Sequence, residues 1–396
     1  GVFPRWKCCN YRVIFLQESY VSVTFLCFKL CSRMQRKMKT KCGTPSLLKL
    51  LFLLSVCQAT TGTSVEFILL TDLINGAIYK VNPTTGSNVT LPFGPLPNAV
   101  AVDYDATSRY VYWADPTDEK VIRAHLDGTA METIATTKAI NGLALDIPGR
   151  NVYWTDTDRG AISVAKMDGK HFRDVATDLD QPRAIVLDPE NGYMYWTVWG
   201  AQAKIEQAAM DGTGRATLFN TGLVQPSGLT LDKTAQRLYW CDAKTFRIES
   251  STLNGYDRRQ FLHQPGDNFF GIAVDDTHVY WTAWNAPSIV RSSKTSGGRK
   301  TKKIGSGFSR PGGIHLMQSG DYQPVSNACA RENGGCHHLC LVRPGGKTCA
   351  CQARWSLRDD YITCQPWGTA FLLTFRFLHI VRNSLHVRSM HVSKHS

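Results

Sequence analysis

The sequence predicts an all-β protein, a six-bladed β-propeller followed by a small disulfide-rich module. Three observations carry this reading. A four-residue motif centred on Tyr-Trp recurs at near-constant spacing, an apolar motif recurs in phase with it, and six cysteines crowd between residues 329 and 364.

The first motif reads Tyr112-Trp113-Ala114-Asp115, Tyr153-Trp154-Thr155-Asp156, Tyr195-Trp196-Thr197-Val198, Tyr239-Trp240-Cys241-Asp242 and Tyr280-Trp281-Thr282-Ala283, its tryptophans stepping by 41, 42, 44 and 41 residues. A degenerate sixth copy, Leu69-Leu70-Thr71-Asp72, comes before them. The second element reads NAVAVD (98–103), NGLALD (141–146), RAIVLD (183–188), SGLTLD (227–232), FGIAVD (270–275) and GGIHLM (312–317). Each copy is a short apolar alternation with small residues, as expected of a strand between packed sheets. A third strand begins near Ile78, Ile122, Ile162, Ile205, Ile248 and Ile289, and ends in turns such as Asp127-Gly128 and Asn254-Gly255. A fourth apolar stretch follows, for example ETIA and ATLF. Four short strands per period is the content of one propeller blade.

The order at the seam predicts closure. The chain enters on a second strand, Phe67–Asp72, and leaves on a lone first strand, Gly312–Met317. Joining them in one blade removes a free sheet edge. Tyr and Trp bring large apolar area to the wedge between sheets, and the Asp can accept backbone N–H groups and tie one blade to the next. Val198 and Ala283 lack that carboxylate, and a tryptophan follows each, Trp199 and Trp284.

A formal net charge of +13 and a pI near 9.2 point at first to nucleic acid or a membrane surface. The distribution excludes a basic nucleic-acid domain. Residues 1–62 hold ten basic and one acidic residue, 365–396 hold four and none, and 63–364 hold 31 of each. The run from Met38, with Lys39 and Lys41, then Leu47–Val56, then small residues around Ala59, predicts a secretory signal peptide over 38–62. Residues 1–37 are expected not to belong to the native protein, and 365–396 to be an unstructured or non-native tail. Val13–Leu30 contains Gln17 and Glu18, and Ala370–Val381 is short and carries Arg376, so no membrane span is expected in this chain.

These motifs resemble the YWTD propellers of the low-density lipoprotein receptor family. Residues 180–197 (DQPRAIVLDPENGYMYWT) and 240–244 (WCDAK) are most similar to the Wnt co-receptor branch of its receptor-related proteins. The resemblance spans roughly residues 63–364, implying a propeller over 63–321 and an EGF-like module over 326–364. Spacing alone permits fifteen pairings of six cysteines; the resemblance implies Cys329–Cys340, Cys336–Cys349 and Cys351–Cys364. Calcium-binding modules of this type carry acidic residues before the first cysteine. This chain has Val325-Ser326-Asn327-Ala328 there, so no metal is expected.

The resemblance also implies a non-enzymatic, extracellular binding unit without a cofactor, secreted or on the outer face of the plasma membrane. No G-x-S-x-G, H-E-x-x-H or P-loop is present. In the Wnt co-receptors one propeller face presents acidic and aromatic residues to Wnt or to secreted antagonists such as Dickkopf or sclerostin. By position the matching residues are Asp118, Glu119, Asp158, Trp199, Lys244, Phe246 and Trp284. Exposed tryptophans are common hot spots, and carboxylates around them suit a basic or amide-bearing ligand. Blade packing is the competing reading of each tryptophan. A lipoprotein-receptor or nidogen-like matrix module, or a soluble decoy fragment, is the alternative function. Arg299, Lys300, Lys302 and Lys303 form a solvated basic loop that could meet heparan sulfate. Asn88-Val89-Thr90 is a glycosylation sequon. Cys241, alone in the propeller, is expected to be a buried free thiol.

Overall fold

The computed structural model describes residues 64–322 and 326–367. The expected signal peptide, the stretch before it and residues 368–396 lie outside the described residues. Six four-stranded antiparallel sheets form the propeller. Blade 1 takes its first strand, Pro311–Gln318, from the end of the propeller and its others, Val65–Asp72, Ala77–Val81 and Asn88–Thr90, from the start. Blades 2 to 6 follow in chain order, with first strands Ala101–Asp105, Ile140–Asp146, Pro182–Asp188, Pro226–Asp232 and Phe269–Val274. At the seam Leu70 lies opposite Ile314 and Ile68 opposite Leu316.

The Tyr-Trp strands are buried on both faces, because a neighbouring blade covers each side. All six residues of Asn151–Asp156 are buried, whereas none of the outer strand Arg259–His263 is. This is why the second strands read as continuous apolar runs without polar alternation. Trp113, Trp154, Trp196 and Trp240 are 0% exposed and Trp281 is 1% exposed.

One expected register needs correction. In blade 3 Leu143 faces Trp154, and in blade 2 the residue facing Trp113 is Val102. The blade 2 counterpart of NGLALD is therefore residues 100–105, not 98–103. Asp103 stands where blades 3 to 6 carry Ala144, Val186, Thr230 and Ala273, and it pairs at 2.9 Å with His315, which holds the same position in blade 1.

Polar groups of the motif join neighbouring blades. Thr155 Oγ1 accepts the Gly142 N–H at 2.9 Å and donates to the Arg183 carbonyl of blade 4 at 2.6 Å. Thr282 does the same with Gly271 and Gly312, both at 2.8 Å. In blade 5 the Cys241 thiol takes this place, donating to the Phe270 carbonyl at 3.5 Å. Cys241 is free and buried, and burial pushes its pKa up to about 12, so it stays a thiol. The first-strand glycines fit this close approach. A Cβ on Gly271 would lie 2.6 Å from the Gly312 carbonyl oxygen, and one on Gly313 2.7 Å from that of Val100.

The cysteine module carries the bridges Cys329–Cys340, Cys336–Cys349 and Cys351–Cys364. Its last strand runs to Pro366, two residues past the expected boundary, pairing with Trp355–Leu357. The module docks against blades 3 and 4. Leu339, Leu341 and Val342 share an apolar cluster with Tyr153, Met194 and Met210. Polar ties frame it: Asn151 Nδ2 to the Cys340 carbonyl at 2.9 Å, Asn327 Nδ2 to the Pro189 carbonyl at 3.0 Å, and Thr348 Oγ1 to Asp211 at 2.6 Å. These partners lie in the turns opposite the Tyr-Trp strand ends, so the other face of the propeller is left uncovered by the module.

Three histidines gather at this joint. The His171 and His338 rings stack at 4.1 Å, and His337 lies 4.5 Å from His338. His338 Nδ1 accepts the Gln352 N–H at 3.3 Å, which holds the ring neutral. Burial, then the two neighbouring imidazoles, lowers its pKa from 6.5 to about 4. The unfolded chain takes up that proton near pH 6.5 and the folded chain does not. The stability tied to His338 is thus complete above pH 6.5 and falls away as the pH drops towards 4. The melting temperature should decline between pH 7 and pH 5, and His338→Phe should flatten that decline. An unchanged slope in the variant would show that the ring does not govern it.

Candidate functional site: the channel mouth

The turns after each second strand, and the connections between blades, open on the face away from the cysteine module. The motif carboxylates build its rim. Asp242 is fully buried and accepts four backbone N–H groups: Val224 (2.8 Å) and Gln225 (3.1 Å) from the incoming connection, Lys244 and Thr245 (both 2.9 Å) from the following turn. Asp72 does the same across the seam, accepting from Ser309 at 2.6 Å and Arg310 at 3.0 Å as well as from its own turn. The turns then pass through a left-handed residue, glycine at 76 and 160 but Glu119 (φ 57°) and Phe246 (φ 56°) elsewhere.

Where the carboxylate is missing, the tie comes from another residue. In blade 4, beside Val198, Asp180 of the incoming connection accepts the Ala201 N–H at 2.6 Å. In blade 6, beside Ala283, the Asn285 amide donates to Asp267 at 2.9 Å and its oxygen accepts the Asn268 N–H at 3.3 Å. The backbone between is thereby free to present a tryptophan.

Trp199 and Trp284 are half-buried, unlike the five motif tryptophans. Trp199 Nε1 donates to the Pro226 carbonyl of blade 5 at 2.7 Å, and the Arg183 guanidinium lies 4.0 Å over its ring. Trp284 stacks on Phe270 at 5.2 Å and carries the Arg310 guanidinium at 3.6 Å. Between these pairs the channel opens as a cavity of about 110 Å³, lined at its mouth by Asn141, Arg183, Trp199, Ser227, Phe270 and Gly313.

Of the seven expected residues, only Trp199 lines this cavity; Trp284 reaches it through Phe270. Asp118, Asp158 and Lys244 are exposed on the turns of blades 2, 3 and 5, while Glu119 and Phe246 are half-buried there. Carboxylates and tryptophans therefore stand on different sectors of one face. Sequence reasoning missed Arg183, Arg310, Phe270 and Asn141. A signal was available: the residue two before the one that faces the motif Trp (Leu70 in blade 1), Val100, Asn141, Arg183, Ser227, Phe270 or Gly312, changes from blade to blade while the motif around it repeats.

Comparison with known proteins fits this architecture. The profile of the low-density lipoprotein receptor repeat class B matches residues 150–189, 192–233 and 236–275, and that of the coagulation factor Xa inhibitory site matches 329–364. Human low-density lipoprotein receptor-related protein 5 is 35% identical over 288 residues, covering 70% of this chain and 18% of that protein. The mouse protein of the same name is 35% identical over 358 residues, covering 89% and 21%. The chain thus spans about a fifth of the length of these relatives. A chain in the crystal structure of a nidogen/laminin complex superposes with a TM-score of 0.58 at 30% identity, over 63% of this chain and 97% of that one. Repeats, closing module and relatives agree, and the chain belongs to the low-density lipoprotein receptor-related protein family.

Proposed function

We propose that this chain is an extracellular, non-enzymatic protein-binding unit of the Wnt co-receptor type, which takes a secreted ligand of that pathway at the channel mouth. One observation carries the reading. Two tryptophans leave the blade interior, cross the rim and stand half-exposed beside an open cavity, each under a guanidinium. Blade packing needs neither, since each blade but the first already buries a motif tryptophan. Aromatic and arginine side chains around a cavity are the usual anchors of protein interfaces. Asp118, Glu119, Asp158, Lys244 and Phe246 form the outer rim of the same proposed surface. Asn88, on the outer strand of blade 1 beside exposed Val89, is a proposed glycan acceptor well away from the mouth.

Binding of a Dickkopf-type or sclerostin-type peptide tests this. Trp199→Ala and Trp284→Ala should each weaken binding by about thirtyfold, the scale of a hot-spot residue, with little change in melting temperature. Absence of binding, or indifference to both changes, argues against it. The likeness to a chain of a nidogen/laminin complex supports a matrix-binding module as the second reading. Capture of laminin without capture of either antagonist peptide would favour that module.

A further inference from the structure

We propose that the channel mouth recognises a carboxylate: an acidic peptide segment places an Asp or Glu side chain against Arg183, with an apolar neighbour over Phe270 and Trp284. This rests on the reading that the face binds protein, and it departs from the basic or amide-bearing ligand that the acidic rim residues suggest.

None of the residues lining the cavity is acidic, and Arg183 is the one cation among them. Elsewhere in the propeller arginines over aromatic rings also hold carboxylates, as Arg215 holds Glu206 over Trp196 and Arg258 holds Glu249 over Trp240. Among the described residues Arg183 and Arg310 form no ion pair. Arg183 donates from Nη1 to Asn141 Oδ1, and its buried Nε has no partner. Burial alone lowers the pKa of Arg183, with no acidic neighbour acting on it.

The other polar groups at the mouth are engaged. Asn141 Nδ2 donates to the Ala139 carbonyl at 2.8 Å and to Thr157 at 2.6 Å, and Ser227 donates to the Phe269 carbonyl at 2.7 Å. What remains is a set of N–H donors: the Arg183 guanidinium beyond its bond to Asn141 and the Arg310 guanidinium; Trp284 Nε1 is unpartnered too, but buried. A half-buried guanidinium with unfilled donors is costly, and a carboxylate fills two at once in a planar, charge-assisted pair. Stacking on Trp199 fixes the guanidinium plane in advance, so little side-chain freedom is lost on binding.

A library of heptapeptides with acetylated and amidated ends, whose only carboxylates are Asp and Glu, tests this. It is selected on the full chain, on Arg183→Gln and on Trp199→Ala. Peptides held by the unaltered chain should carry Asp or Glu at one fixed position. Changing that residue to Asn or Gln should weaken binding at least about tenfold, and Arg183→Gln should bind acid and amide forms alike. Retention without acidic preference, or a preference that Arg183→Gln leaves intact, overturns the carboxylate assignment while the protein-binding reading stands. If the unaltered chain retains no peptide, or Trp199→Ala retains the same ones, the protein-binding reading fails and takes the assignment with it.

Discussion

Asp242→Ala is expected to lower stability by about 3–5 kcal/mol, a fall of roughly 6–15 °C in melting temperature for a propeller of this size. The carboxylate is buried and serves four N–H groups at once. Alanine strands all four, two on each side of the joint between blades 4 and 5. Each unsatisfied donor costs about 1–3 kcal/mol, and water entering from the open face recovers part of the sum. Asp242→Asn keeps one acceptor and should lose about half as much. Asp180→Ala makes the contrast, because its side chain accepts one N–H in an exposed turn; about 1 kcal/mol is expected. Chemical denaturation of the three variants gives the order directly. Equal losses for Asp242→Ala and Asp180→Ala would show that N–H count does not set the strength of these ties.

Gly142→Val should cost about 3 kcal/mol or more and damage the mouth as well. The Cβ of any other residue at 142 overlaps the Arg183 carbonyl oxygen and presses within 3.1 Å of Ile185 N and Thr155 Oγ1. The obstruction is backbone of the adjoining first strand, which cannot rotate aside, so blades 3 and 4 must move apart. That movement breaks the Thr155 bridge and carries Arg183 off Trp199. Gly142→Val should therefore lose both melting temperature and peptide binding, whereas Trp199→Ala should lose binding alone. A valine variant that melts normally would mean that the inner strands have slack which the close approach denies.

Most of the fold was legible because its cause is local and repeated. A wedge between sheets needs the same large side chains in every blade, so Tyr-Trp marks each second strand and the spacing counts the blades. Even the seam could be read, since an unpaired first strand at one end matches a missing one at the other. The register of blade 2 could not, because Asp103 imitates the terminal Asp of the apolar motif that Asp105 actually supplies, opposite Tyr110. The mouth was legible only in part. Trp199 and Trp284 stood out as departures from a repeat. Arg183 acquires its meaning from a ring 16 residues later in the chain and from Asn141 one blade away, neighbours that exist only after the sheets have stacked. The substitutes for the lost carboxylates, Asp180 and Asn285, were hidden likewise: each lies at a different offset from the motif.

The seam in blade 1 also sets a timetable. Ser64 and Ser319, which hydrogen-bond across it, are 255 residues apart, and every strand between them leaves the ribosome before Pro311–Gln318 does. Throughout that interval the edge of Val65–Asp72 has no inner partner and offers a row of bare amides to any passing strand. Pairings of such long range form slowly and late. Closing the ring thus waits until the whole propeller has been made, and until it happens the nascent chain depends on protection from its neighbours.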